Sequence, residues 1–283
     1  MANDLRQLGM IGFSRLAIIA GIALLTGARL ASGQECHVGL PNAPVAISNN
    51  PAPLPNQFQD VDISWRKLPK RVLHDQKDIW LFPTQLARGH YWAPTLGVVG
   101  GTVGLIVADP HVMPYFRSHA GNLDDINDTF DGTITAAEIA IIPVSILASG
   151  YILHDPYKVK TGLLAGEAYV DGEILDLAIK AVTRRKRPSD VPAGTSFNDT
   201  FFNGGKSPFS DSSFPSGHAI GAFSLATVIA HRYRQHRWVP WAAYGLAAAV
   251  SFSRVTTSAH FPSDVFLGAA LGYTITRFEV LQH

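Results

Sequence analysis

Three short stretches of the chain combine cations, histidines and hydroxyl groups at spacings that could do chemistry on an anion. The first covers residues 180–188, the second residues 213–218 and the third residues 253–264. Together they offer cationic side chains, a helix start and two imidazoles, which are the groups that can bind a phosphoryl group and move its protons. Each stretch also has an ordinary structural explanation.

The first stretch is the basic segment KAVTRRKRP, at the end of a predicted helix. Lys180 and Arg187 are seven residues apart, which is close to two helical turns, so their side chains can lie on one side. Pro188 biases Arg187 out of the helix and fixes where the chain leaves it. The alternative is a solvent-exposed basic face at a helix C-terminus, where the helix dipole favours cations.

The second stretch, SFPSGH, leads directly into an apolar helix. Pro215 and Ser216 are typical helix-start residues, and Gly217 lets a ligand approach the backbone N–H groups of that start. The positive end of the helix would attract an anion, and His218 at its edge could donate a proton. The alternative is an ordinary capped helix with an incidental histidine.

The third stretch begins with Ser253 and Arg254 and ends with Asp264. Pro262 suits the first turn of a helix, so His260 precedes this helix and Asp264 lies inside it. At this spacing the carboxylate can orient the imidazole and stabilise its charged form. Arg254 adds a bidentate donor for phosphate oxygens. The alternative is a surface ion pair beside a helix cap.

In chain order, the three stretches resemble the signature of the type 2 phosphatidic acid phosphatase family. This family includes bacterial class A acid phosphatases and shares its site with vanadium haloperoxidases. The signature is Lys, six residues, Arg-Pro; then Pro-Ser-Gly-His; then Ser-Arg, five residues, His, three residues, Asp. All eleven fixed positions are filled here, and the resemblance covers residues 163–276. They are Lys180, Arg187, Pro188, Pro215, Ser216, Gly217, His218, Ser253, Arg254, His260 and Asp264.

The resemblance implies a role for each site residue. His260 is the expected nucleophile that carries a phosphohistidine, Asp264 is expected to hold its ring, and His218 is the expected general acid and later base. The expected phosphate-binding residues are Lys180, Arg187, Ser216, Gly217 and Arg254. Three cations suffice for phosphoryl transfer, so neither a metal nor a cofactor is expected, and vanadate would bind as a phosphate mimic.

The implied enzyme is a metal-independent phosphoric monoester hydrolase of the acid phosphatase or phosphatidate phosphatase type. Its expected substrate is a phosphorylated lipid or a small soluble phosphate. The alternative is a vanadate-dependent haloperoxidase that uses the same pocket, with His260 as the vanadium ligand. The net charge of +1, from 23 basic and 22 acidic residues, argues against nucleic acid as a partner.

Composition and patterning predict an all-α helical bundle, and the family resemblance implies that this bundle is of the acid phosphatase and vanadium haloperoxidase type. Six apolar segments rich in Ala, Leu and Gly recur between residues 93 and 276. Most are shorter than the ~20 apolar residues that a membrane span needs, so we expect buried core helices. The segment 134–153 has Glu138 as its one charged residue, so a membrane-associated bundle is the alternative. The single cysteine, Cys36, excludes an internal disulfide.

The N-terminus has the features of an export signal. Arg6 and Arg15 precede or interrupt an apolar run, and Ala31-Ser32-Gly33 offers small residues for cleavage. We predict a signal peptide at residues 1–33, a leader rich in Pro and Asn at 34–56, and a single all-α phosphatase domain at 57–283. Export would place the protein in the periplasm or outside the cell; an uncleaved membrane anchor is the alternative.

A 26-residue loop separates Pro188 from Pro215 and contains four phenylalanines. Long loops in compact domains often act as lids over a site. We therefore expect this loop to line the leaving-group side of the pocket and to set the substrate preference. The four are Phe197, Phe201, Phe202 and Phe209.

Overall fold

The computed structural model describes residues 61–130, 132–205, 207 and 212–282. The predicted signal peptide (1–33) and leader (34–56) lie outside this part of the chain, and the domain boundary at residue 57 stays a prediction. Residues 63–283 form one compact unit. The described residues contain helices, turns and loops and no strand, so the all-α class is confirmed.

Eight α-helices follow one another in the described residues, and the six predicted apolar segments fall on α2 and on α4 to α8. The helices are α1 Leu68–Ala87, α2 Trp92–Ser118, α3 Asp124–Thr129, α4 Gly132–Ile152, α5 Pro156–Thr183, α6 Gly217–Arg232, α7 Val239–Thr256 and α8 Pro262–Ile275. Short 3₁₀-helices lie at Ala120–Leu123 and Pro188–Asp190, and a π-helical turn at Thr276–Val280 follows α8.

Helix α1 is long but is not predicted by apolar patterning. It interleaves charged and apolar residues, and its contacts with α5 are polar. The Arg71 guanidinium binds both carboxylate oxygens of Glu167, at 2.8 and 3.1 Å, and the Gln76 amide donates to Asp171 at 2.9 Å. Its apolar residues are separated by charged and polar ones, so the helix contains no continuous apolar segment of the kind that the sequence analysis uses.

Helix α6 is at the centre of the fold and packs against α4, α5, α7 and α8. Two glycines allow α8 to approach it closely. A Cβ atom at Gly272 would lie 2.3 Å from the carbonyl oxygen of Ile220, and one at Gly268 would lie 2.6 Å from that of Ser216. Any larger residue would push the helices apart. This contact fixes the start of α6 beside α8.

Helices α2 and α4 are not the buried core helices that the sequence analysis expects. Each is long and apolar enough to cross a membrane, with windows of mean hydropathy 1.5 and 1.6 that are only 17% and 22% buried. The sequence analysis judges the apolar segment of α2 too short for a membrane span. The expectation fails because the helix continues past Asp109 and two prolines to Ser118. The exposed apolar side chains are Trp92, Leu96, Val99, Val103, Val107, Ile134, Ile141, Val144, Tyr151 and Ile152.

Each of these two helices still turns one narrow stripe towards the protein. Thr102, Asp109 and Met113 are the buried residues of α2. Their spacings of seven and four residues place them on one helical face. The inward stripe of α2 therefore includes a carboxylate, although the rest of its surface is apolar.

Candidate active site

Backbone hydrogen bonds tie the three sequence stretches together where α5 ends and where α6 and α8 begin. The Ser213 N–H donates to the carbonyl of Arg185 at 2.8 Å, which joins the second stretch to the first. The Ser216 N–H donates to the carbonyl of Asp264 at 3.0 Å, which joins the second stretch to the third. The predicted site residues therefore come from separate parts of the chain but are held in one place.

The imidazole of His260 is buried, and its orientation is set by a backbone carbonyl. Its Nδ1 lies 2.7 Å from the carbonyl oxygen of Ser213. A carbonyl oxygen can only accept, so Nδ1 carries the proton and Nε2 keeps a lone pair. Burial lowers the pKa of His260, and the charges of Lys180 and Arg187 lower it further, while Asp264 raises it. The ring is therefore suited to act as a neutral nucleophile.

Asp264 does not hold the His260 ring by the direct bond that the sequence analysis expects. The His260 Nδ1 and the Asp264 Oδ2 are 3.8 Å apart, which is beyond hydrogen-bond length. The Asp264 Oδ2 accepts instead from the backbone N–H of Phe261 at 2.8 Å, and its Oδ1 accepts from Arg185 at 2.5 Å. The carboxylate thus acts on the imidazole through its charge, while Ser213 provides the bond.

His218 lies close to His260, with 6.4 Å between the ring centroids. Its Nε2 is 2.8 Å from the carbonyl oxygen of Gly132, the first residue of α4. Burial lowers the pKa of His218 to about 4; the Gly132 carbonyl opposes this shift, and the charge of Arg254 adds to it. To protonate a leaving group, the ring must use Nδ1 or release Gly132.

Lys180 lies beside the start of α6. Its ammonium group is 2.5 Å from the Oδ2 of Asp176, one turn earlier on α5. A Cβ atom at Gly217 would lie 3.0 Å from that oxygen and 3.4 Å from the Lys180 Nζ. The Ser216 hydroxyl caps α6 by accepting from the Ala219 N–H at 3.5 Å. The cation, the cap and the glycine are therefore neighbours, as the signature predicts.

Arg254 is buried and held from both sides. Its Nε and Nη2 both donate to the Ser253 hydroxyl, at 3.1 and 2.9 Å. A Cβ atom at Gly132 would lie 2.9 Å from its Nη1. Gly132 therefore borders both Arg254 and His218, and its lack of a side chain leaves room for the guanidinium.

Four residues near the site are absent from the sequence prediction. Asp176 could have been found, because it lies four residues before Lys180 on the same helical face. Arg185 lies inside the first stretch but is treated there as a spacer. Asp109 and Gly132 come from α2 and α4, about 50 to 150 residues away from the three stretches, and carry no local signal.

The phenylalanine loop differs from the expected lid. The Phe197 ring is buried and packs edge-on against Phe261, with centroids 6.1 Å apart. The Phe201 ring lies over the Arg185 guanidinium, whose central carbon is 4.5 Å from the ring centroid. Phe202 is exposed, and Phe209 lies outside the described residues. Two of the four rings therefore support buried residues, and a lid role stays a prediction for Phe202.

The histidine environment predicts an acidic pH optimum. We expect kcat/KM for a soluble alkyl phosphate to be greatest below about pH 6.5, the usual pKa of histidine. The lowered pKa of His260 keeps its Nε2 lone pair available to a lower pH than in an ordinary histidine, and the protonated fraction of His218 grows as the pH falls towards its pKa of about 4. At higher pH His218 loses the proton that the leaving group needs, so the rate falls. The check is a pH profile from 3.5 to 9; an optimum above pH 8 would contradict it.

Comparisons with known proteins place the C-terminal part of the chain in a class of phosphatase-like proteins. Residues 161–283 match the PAP2 superfamily. This stretch contains all three sequence motifs, so the resemblance to the type 2 phosphatidic acid phosphatase family that the sequence analysis describes is confirmed for this part of the chain.

Two curated proteins resemble short parts of the chain. One is a lipid A 1-phosphatase of Porphyromonas gingivalis, 38% identical over 64 residues, or 22% of this chain and 14% of the relative. The other is the bacitracin transport permease protein BcrC of Bacillus licheniformis, 42% identical over 68 residues, or 24% of this chain and 32% of the relative. The alignments thus span less than a third of each relative.

A solved structure of a transmembrane PAP2 type phosphatidylglycerolphosphate phosphatase from Bacillus subtilis is also similar. It shares 20% sequence identity with a TM-score of 0.37, over 74% of this chain and 94% of that chain.

Among the described side chains, no three His, Cys, Asp or Glu lie together so as to hold a metal ion. Metal-independent catalysis stays a prediction.

Proposed function

We propose that this protein is a membrane-associated, metal-independent phosphatase that hydrolyses the phosphomonoester of a lipid. The observation that carries the proposal is the convergence of His260, His218 and the cations Lys180, Arg187 and Arg254 at one site. The matched family and the name of the similar lipid A 1-phosphatase support phosphomonoester hydrolysis. The exposed apolar helices α2 and α4 support the choice of a lipid.

The position of Gly132 connects the site to the membrane. This residue is the first of α4, an exposed apolar helix long enough to span a bilayer, and its carbonyl bonds to His218. If α4 spans the bilayer, the catalytic groups lie at the depth where an apolar helix ends, which is the membrane surface. A lipid headgroup phosphate lies at the same depth. A lipid could thus present its phosphate to the site without leaving the membrane.

The proposed reaction has two steps, and its atoms balance. In the first, the Nε2 lone pair of His260 attacks phosphorus, the P–O bond to the alcohol breaks, and the alcohol takes a proton from His218. In the second, His218 removes a proton from water, the water oxygen attacks phosphorus, and the N–P bond breaks to release phosphate. Lys180, Arg187 and Arg254, with the N–H groups at the start of α6, stabilise the phosphoryl oxygens.

Membrane association gives a test on α2. Val103 is exposed near the middle of this helix, and replacing it with arginine costs about 3 kcal/mol at the centre of a bilayer. We expect Val103→Arg to shift the protein from the carbonate-resistant membrane fraction to the extracted fraction. The control is Val182→Arg, because Val182 is as exposed but ends α5, which is not a candidate span. Equal extraction of both variants and the native protein would contradict the spanning role of α2.

The function is tested on the protein purified in detergent. Phosphate release is measured from a lipid phosphate in mixed micelles and from a water-soluble aryl phosphate, each with and without a chelator. We expect release from both, a higher kcat/KM for the lipid, and no effect of the chelator. No release from either substrate would overturn the phosphatase proposal, and loss on chelation would overturn metal independence. Bromide oxidation by peroxide after vanadate loading would instead identify the haloperoxidase alternative.

The cellular location belongs to the same proposal. The predicted signal peptide would direct the chain to the periplasm or the cell exterior, and the apolar helices would then keep it at a membrane. Export therefore stays a prediction from the first 33 residues.

A further inference from the structure

We propose that Arg185 is a positioning residue for the reaction: its guanidinium bridges Asp109 of α2 and Asp264 of α8 and thereby holds Asp264 beside His260. The inference rests on the proposed function, since it assigns a role within the same site. Arg185 is not one of the eleven signature positions, and Asp109 lies outside the stretch that matches the family.

The guanidinium of Arg185 is buried, with 1% of the residue exposed, and is bonded on every side. Its Nη1 donates to the Asp264 Oδ1 at 2.5 Å and to the Ser263 hydroxyl at 2.7 Å. Its Nη2 donates to the Asp109 Oδ2 at 2.7 Å, and its Nε to the Thr200 hydroxyl at 3.1 Å. A planar guanidinium can bind two carboxylates at fixed angles in this way, whereas an ammonium group cannot.

Aromatic rings fix the plane of this guanidinium. Its central carbon lies 3.8 Å from the ring centroid of Phe261 and 4.5 Å from that of Phe201. Contacts of this kind stabilise a cation that has lost its water. The group is thus held in its plane by rings and at its edges by hydrogen bonds. It is not available to bind a phosphoryl oxygen, unlike the cations assigned to that task.

Asp109 completes the arrangement by binding the residue next to Asp264. Its Oδ2 accepts from the Ser263 hydroxyl at 2.5 Å, and its Oδ1 from the Ser263 backbone N–H at 3.3 Å. Asp109 and Asp264 are both fully buried. Two buried carboxylates are compensated by one cation, and removal of that cation would leave like charges close together in a dry environment. Arg185 is therefore required to hold Asp264 in place.

The consequence for His260 is electrostatic. Asp264 lies 3.8 Å from the His260 Nδ1 and acts on it without a direct bond. Without Arg185, Asp264 can move by a bond length or turn its charge towards the ring. A displacement of about 1 Å in a catalytic arrangement can cost about 100-fold in rate. Since Arg185 does not touch the phosphate, this loss should appear in kcat and not in KM.

The main experiment compares Arg185→Met, Arg185→Lys and the control Arg184→Met. Arg184 is the exposed neighbour, and its Nη2 donates to the Gly205 carbonyl at 2.8 Å, so its replacement removes the same charge one residue away. For Arg185→Met we expect kcat to fall about 100-fold with KM changed less than about threefold. Lysine should restore about a tenth of the lost rate, because its ammonium group lacks the planar fork that holds the two carboxylates at fixed angles. The control should stay within about twofold of the native kcat.

A double variant separates positioning from a general loss of structure. If Arg185 acts through Asp264, the double change Arg185→Met with Asp264→Asn should be no slower than Asp264→Asn alone, because interacting residues are not additive. Additive losses would overturn the proposal, as would a raised KM at unchanged kcat.

Asp109→Asn keeps the shape of the network while removing one charge, so this variant replaces Arg185→Met in the test if Arg185→Met does not fold. It should lower kcat about three- to tenfold with KM unchanged, and an unchanged kcat would also overturn the proposal.

A second measurement does not depend on turnover. In ¹⁵N-labelled protein, the titration midpoint of the His260 ring is followed by NMR in the native chain and in Arg185→Lys and Arg185→Met. We expect the midpoint to rise in Arg185→Met, because Asp264 loses the cation that compensates its charge, while Lys180 and Arg187 are unchanged. An unchanged midpoint would overturn the role of Arg185. If the native protein hydrolysed no phosphate, the proposed function would fail, and this titration would still decide the role of Arg185.

Discussion

Replacement of His260 by alanine is expected to reduce the turnover of a lipid phosphate by roughly 10⁴-fold or more, as the loss of a nucleophile does in other enzymes. The physical reason is the geometry of the ring: its Nδ1 donates to the Ser213 carbonyl oxygen, 2.7 Å away, so the Nε2 lone pair is free to attack. Initial rates of phosphate release at saturating substrate provide the measurement. Vanadate binding should weaken as well, because the same nitrogen would bind vanadium.

Two controls make this prediction specific. His236→Ala removes an exposed histidine from the turn after α6 and should leave the rate unchanged. Acid-quenched protein that has turned over ³²P-labelled substrate should carry acid-labile label on the native chain and none on His260→Ala. Turnover above about a tenth of the native rate in His260→Ala would rule out His260 as the nucleophile.

Replacement of His218 by alanine is expected to lower the rate by an amount that depends on the leaving group. For a lipid or alkyl phosphate the loss should reach about 10²- to 10⁴-fold, the usual contribution of a general acid. With p-nitrophenyl phosphate, whose phenolate leaves without a proton, the first step should be nearly unimpaired. The second step still needs His218 as a base, so the phosphohistidine should accumulate. The expected result is a burst of nitrophenol equal to the enzyme concentration, followed by slow turnover.

His218→Gln separates proton transfer from packing. Its amide can still donate to the Gly132 carbonyl, which the native His218 Nε2 contacts at 2.8 Å, but it cannot act as acid or base. Glutamine and alanine should therefore give the same burst. If both substrates lost the same factor and no burst appeared, His218 would have a structural role only.

The site was more predictable than the parts that support it. The eleven signature positions lie at the ends of helices, where prolines, a serine cap and a glycine mark the chain, and the structure brings these ends together. Arg185 and Asp109 carry no such mark, because a buried salt bridge between a helix and a distant segment of the chain has no period in the sequence. The bond from Ser213 to His260 involves a backbone carbonyl, which any residue type could supply.

The helices were predictable as helices but not in their surroundings. Apolar segments predict α6 and α8 correctly, and both pack against other helices. The same signal predicts α2 and α4, whose apolar side chains remain exposed. An apolar helix avoids water, and it can do so either by packing against other helices or by lying in lipid. Apolar composition therefore does not distinguish these two surroundings. Helix α1 escapes prediction because charged and polar residues interrupt its apolar positions, and Arg71 and Gln76 hold it through polar contacts.

The contacts of Gly132 and Asp109 have a consequence for shortening the chain. A fragment starting at Pro156 would keep every signature residue, yet it would lack the carbonyl that receives His218 and one of the two carboxylates that bind Arg185. In this fragment, the buried guanidinium of Arg185 would keep only Asp264 of its two carboxylate partners. The predicted catalytic residues and their scaffold therefore belong to different halves of the polypeptide, and we expect the smallest active piece to begin before α2.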